Sequence, residues 1–90
     1  MTESTSNFAR DQRRCRTKYS LELARQASRI SSVMLPASIN AEVVTTANGF
    51  KQQHGADDLR HFLLLLVESL ETRGRSGAVD AVHAFMLHEA

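Results

Sequence analysis

The sequence predicts an all-α fold of about four helices, the first long and amphipathic, assembled as a homodimeric helical bundle. Three observations predict it. An apolar stripe at helical spacing runs from Phe8 to Met34 without a break, and a denser one runs from Leu59 to Leu70. The single proline, Pro36, and the glycines of Asn48-Gly49 and Arg73–Gly77 cut the remainder into helix-sized lengths. Core volume comes mainly from Leu, Val, Ala and Met, since Phe8, Tyr19, Phe50, Phe62 and Phe85 are the only aromatic residues.

Residues 1–7 read as a flexible tail rich in Ser and Thr, and residues 8–90 as a single helical domain. At 100° per residue, Phe8, Cys15, Tyr19, Leu23, Ala27, Ile30, Val33 and Met34 fall within roughly 120° of arc. A straight helix over 8–34 would be about 40 Å long, whereas a 90-residue domain has a radius of gyration of about 12 Å. Such a helix overhangs its own monomer and is expected to pack on a second copy. Pro36 stops it near Met34 or Leu35, because the residue before proline is pushed out of the α region.

A second helix is expected from Ser38 or Asn40, with Ile39, Val43, Ala47 and Phe50 inward and Asn48-Gly49 ending or kinking it. The third starts after Asp57 and Asp58, whose charges suit a helix amino end. Leu59, Phe62, Leu63, Leu66, Val67 and Leu70 form its inner stripe, and Leu64 and Leu65 widen it, so it requires cover on more than one side. Ser76 caps a last helix from about Ala78 to His88, with Val79, Val82, Phe85 and Met86 inward.

Composition narrows the function classes. One cysteine excludes an intrachain disulfide framework. Met1 leads into a polar stretch without an apolar signal core, and the longest apolar run, Phe62–Val67, is far short of a membrane span; a cytoplasmic protein is expected. The net charge of +1 is unevenly spread. Residues 1–34 hold seven Lys/Arg against three Asp/Glu, and residues 35–90 hold four against seven. That polarity suits a solvated helix face, an acidic partner or self-association.

Candidate chemistry is sparse. His54, Asp57, Asp58 and His61 lie within eight positions, but no HExxH or cysteine motif completes a metal set, and a charged helix start accounts for them. Cys15, between Arg14 and Arg16, has the cationic neighbours that lower a thiol pKa, yet it lies inside the apolar stripe, where cysteine packs as a small hydrophobe. Arg73–Gly77 precedes a helix start, where free N–H groups and two arginines can hold an anion or simply make a soluble turn. No catalytic residues, cofactor or metal are assigned, and no enzyme activity is expected.

Arg29-Ile30-Ser31-Ser32-Val33-Met34-Leu35-Pro36, followed by Ile39, Val43 and Ala47, resembles a ribbon-helix-helix DNA-binding protein. The resemblance covers residues 29–70. It implies a dimeric transcriptional regulator whose strand presents Arg29, Ser31 and Val33 to the major groove. The connection from Ala47 to Leu59 is longer than that family uses, and the helical stripe runs into the proposed strand.

The primary expectation is a small non-enzymatic regulatory or adaptor protein acting by protein–protein binding, such as an antiactivator of a transcription factor. Tyr19, Leu23, Ile30, Met34, Leu64 and Leu65 are the expected dimer or partner contacts. Arg10, Arg14, Lys18, Arg25 and Arg29 share about 100° of arc and are the candidates for an acidic partner or a phosphate backbone. No membrane partner is expected.

Overall fold

Five helices follow one another in the computed structural model: α1 (Thr2–Lys18), α2 (Ser20–Ser31), α3 (Pro36–His54), α4 (Leu59–Thr72) and α5 (Ser76–Glu89). The structure describes the backbone of residues 2–89 and the side chains of residues 7–88. No strand occurs among the described residues, so the chain is all-α.

The long helix expected over 8–34 is two helices. Tyr19 leaves helical geometry at φ −109° and ψ 19°. Helical hydrogen bonds nevertheless continue on both sides, from Tyr19 N–H to the Cys15 carbonyl at 2.9 Å and from Leu23 N–H to the Tyr19 carbonyl at 2.8 Å. No glycine or proline lies between Thr2 and Leu35 to explain a bend. Its cause is tertiary. The Tyr19 ring packs edge-on against Phe50, with centroids 4.9 Å apart, and against Phe62 at 6.2 Å. Its hydroxyl donates to Asp58 Oδ2 at 2.7 Å.

The size of the bend follows from what each residue touches. Phe8 lies against His61 with ring centroids 4.9 Å apart, Gln12 hydrogen-bonds His61, and Tyr19 meets Asp58 and Phe62. Eleven helical residues rise about 16 Å, yet the contacts of Phe8, Gln12 and Tyr19 fall within residues 58–62, while Arg16 between them reaches Glu68. Helix α1 therefore crosses α4 steeply. Helix α2 instead runs along α4, so that Arg75, beyond the end of α4, donates to the Val33 carbonyl at 3.0 Å. The bend lays α1 against its own chain from Phe8 onward, although the longest extent of the molecule is still 42 Å. The segment read as a tail is helical from Thr2, with Met1 outside the described residues.

Residues 29–35 are the end of α2 and a turn, and the strand implied by the ribbon-helix-helix resemblance does not form. Helix α2 closes at Ser32, whose N–H donates to the Ser28 and Arg29 carbonyls. Leu35, held extended at φ −79° and ψ 129° before Pro36, then starts α3 two residues earlier than Ser38. Asn48-Gly49 neither ends nor breaks α3. Gly49 is exposed between buried Ala47 and Phe50, so its cost is confined to helix propensity. The stop comes at Gly55, at φ 87°, whose N–H donates to the Lys51 carbonyl at 2.8 Å.

Helix α4 ends in a Schellman arrangement at Gly74, at φ 72°. The Gly74 N–H donates to the Glu71 carbonyl at 3.0 Å, and the Arg75 N–H reaches the Leu70 carbonyl at 3.0 Å. That sharp reversal lays α5 antiparallel to α4. Ser76 is the first residue of α5 and not its cap; the first helical bond runs from the Val79 N–H to the Arg75 carbonyl.

Helix α4 touches every other helix, α5 and α2 most extensively. Seven of its residues are buried: Leu59, Phe62, Leu63, Leu65, Leu66, Val67 and Leu70. Phe62 stacks on Phe50 of α3 at 4.2 Å between centroids. The assembly has a radius of gyration of 12.9 Å and extents of 42 × 24 × 24 Å.

Leu66, fully buried at the centre of α4, sets a measurable expectation. Leu66→Ala removes about 2–5 kcal/mol of stability by urea unfolding, while Leu64→Ala, at a half-buried position, costs less than half as much.

Candidate protein-binding surface

Two charged clasps hold α1 onto α4. Arg14 donates to Asp58 Oδ1 at 3.0 Å while Tyr19 occupies Oδ2, so both oxygens of one carboxylate are engaged. Asp58 stands at the N-cap of α4 but makes no cap bond, because its side chain is turned toward α1. Arg16 forms the second clasp with the Glu68 carboxylate. The Arg14 hydrogen bond, followed by that of Tyr19, lowers the Asp58 pKa from 3.8 to about 2. Burial, aided by the Asp58 hydrogen bond, raises the Tyr19 hydroxyl to about 12, so it remains a donor at neutral pH.

Cys15 lies beneath this clasp, completely buried. Burial raises its pKa, outweighing the opposite pull of Arg14. Its environment is that of a packed thiol and not of an activated one. The histidine–aspartate cluster is likewise dispersed. His54 bonds Glu22 at 3.1 Å, His61 bonds Gln12, and Asp58 is committed to Arg14 and Tyr19. Among the described residues no three His, Cys, Asp or Glu side chains form a metal-holding group.

The arginine-bearing loop before α5 does not converge on an anion. Arg75 turns inward to the Val33 carbonyl, and the shallow pocket beside it is lined by the carboxylates of Glu71 and Asp80.

Of the expected contact residues, Tyr19, Leu23, Ile30 and Leu65 are buried in the chain's own core, with Leu65 only 3% exposed. Leu64 is half-buried and Met34 is exposed at 72%. From Cys15 to Ile30 the apolar side of the opening stripe is thus buried within the same chain, while its ends, Phe8 and Met34, remain exposed. Arg10, Arg14, Lys18, Arg25 and Arg29 are all exposed, but the bend at Tyr19 divides them between two helix directions. Lys18 sits 5.4 Å from the Tyr19 ring centroid, and Arg29 donates to Gln26 at 3.4 Å.

One concavity was not singled out by sequence. A groove of ≈ 310 Å³ is lined by Lys51 of α3, Ala56, Leu59, Arg60 and Leu63 around the start of α4, and Phe85 and Met86 of α5. Leu59 and Leu63 make a buried apolar floor, and Phe85 and Met86 are half-buried walls. Both ionisable lining residues are cations. Neither Lys51 nor Arg60 has an ion-pair partner among the described residues. The readable signal was the adjacent pair Phe85-Met86 at the end of a short helix, where cover runs out.

No helix among the described residues is long and apolar enough to cross a membrane. No family model, curated protein or solved structure matches the chain.

Two outcomes follow from the clasp. Because the folded pKa of Asp58 is depressed, its stabilisation is complete above 3.8 and is lost as pH falls toward about 2. Denaturant midpoints of Asp58→Asn therefore fall below wild type at neutral pH and converge with it at the acid end. Cys15 reacts with a thiol reagent at least about tenfold more slowly in the native protein than in denaturant, as opening must precede attack.

Proposed function

We propose that this chain is a small non-enzymatic regulatory or adaptor protein that acts as a homodimer by binding another protein. The groove between α3, α4 and α5 carries this reading. Its apolar floor and two uncompensated cations suit an amphipathic helix whose apolar anchors are flanked by carboxylates. Lys51 and Arg60 at the rim supply steering and register, and burial of the anchors over Leu59, Leu63, Phe85 and Met86 supplies most of the affinity. Inhibition of a transcription factor, as an antiactivator, is the particular role we favour for a helical protein of this size in the cytoplasm. Met34 and Leu64 are the accessible members of the apolar contact set and extend the available surface. Arg10, Arg25 and Arg29 are free to meet acidic segments of the same partner.

The test is affinity capture from the native cell with wild type and a Lys51→Glu/Arg60→Glu variant. Both substitutions are at exposed positions and leave the circular dichroism spectrum and thermal midpoint unchanged. The partner retained by wild type is reduced at least about tenfold by the variant, corresponding to about 1.4 kcal/mol. Equal retention by the two proteins refutes the groove as the binding surface.

A further inference from the structure

We propose that two copies of this chain dimerise by exchanging α1, with Tyr19 as the hinge. This rests on the homodimer reading above and specifies its contact. The α4 face beneath α1 carries Leu65 between His61 and Glu68 at helical spacing, and Asp58 at its amino end. Helix α1 engages all three polar residues of that face, through Phe8 and Gln12 to His61, Arg14 to Asp58 and Arg16 to Glu68. A second copy presents the same face. An exchanged α1 therefore remakes each of these contacts between chains, at the expense of the bent geometry in which Tyr19 meets Asp58, Phe50 and Phe62.

Three features make α1 the element to exchange. Its attachment is mostly polar: Cys15 is its one fully buried apolar side chain among the described residues, and Phe8 remains 44% exposed. Its bend has no local cause, since no glycine or proline is near and Tyr19 keeps its own two helical bonds, to Cys15 and from Leu23. Its apolar residues are also in phase with those of α2. Phe8, Cys15, Tyr19, Leu23, Ala27 and Ile30 form one stripe, which a folded-back α1 does not require and a continuous helix does.

Returning Tyr19 to helical geometry joins α1 and α2 into one helix, Thr2 to Ser31, about 45 Å long. Phe8 then lies about 16 Å beyond Tyr19, past the start of its own α4 and away from its own His61. Exchange competes with the folded-back arrangement within one chain and grows with protein concentration.

Light scattering on the unmodified protein between about 10 µM and about 1 mM is expected to show the mass doubling. In a Cys15→Ala background, Gln12→Cys chains mixed with His61→Cys chains are then treated with a short bis-maleimide. Exchange yields a mixed two-chain product, while a chain carrying both cysteines reports that the two positions are within reach. Isotope-filtered nuclear Overhauser contacts between Phe8 of labelled chains and His61 of unlabelled chains give the same readout without substitution. A dimer lacking both the mixed product and these contacts overturns the exchange and leaves the homodimer standing. A monomer throughout the range overturns both.

Discussion

Everything in this fold answers to the apolar circumference of α4. Leu59, Phe62, Leu63, Leu65, Leu66, Val67 and Leu70 occupy more of the helix than one partner can cover, and all are buried. At roughly 25 cal/mol per Å² of apolar surface, leaving even one such flank in water costs more than most polar contacts in the molecule return. Helices α2, α3, α5 and α1 are placed around α4 by that demand, and each contributes the side chains that complete its cover. The aromatic group of Tyr19, Phe50, His54 and Phe62 lies where three of these layers meet.

The ends of the helices then determine what is left open. At the amino end of α4, Asp58 serves α1 instead of capping its own helix, which exchanges a local bond for two tertiary ones. At the same end of the molecule α5 covers Leu59 and Leu63 but leaves its own Phe85 and Met86 half-buried. The groove and the clasp thus arise at one end of α4, with α1 closing one flank and α5 covering the other while its own last apolar residues stay partly open. The cations of the groove have no carboxylate to meet within the described part of the chain, while Arg14 and Arg16 of α1 do.

Much of this was readable residue by residue. Periodicity located the inner faces of α2 and α4, and Leu23, Ala27, Ile30, Phe62, Leu66 and Leu70 are all buried. Pro36 marked a true boundary because its restriction is covalent and local. Asn48-Gly49 was misleading for the complementary reason: burial of Ala47 and Phe50 on either side outweighs a propensity cost of about 1 kcal/mol. The groove was not legible, since Lys51, Arg60 and Phe85 are distant in sequence and an uncovered wall has the same composition as a covered one.

The sequence by itself determined which faces are apolar, where proline interrupts the chain and that the described fold is helical, because these depend on short-range spacing. Only the tertiary structure decided that the first stripe bends at Tyr19. No local signal encodes that bend; it exists because a ring seated on Phe50 and Phe62, and a hydroxyl held by Asp58, hold Tyr19 out of helical geometry. The same helix that by periodicity should reach another chain is thereby turned back over its own.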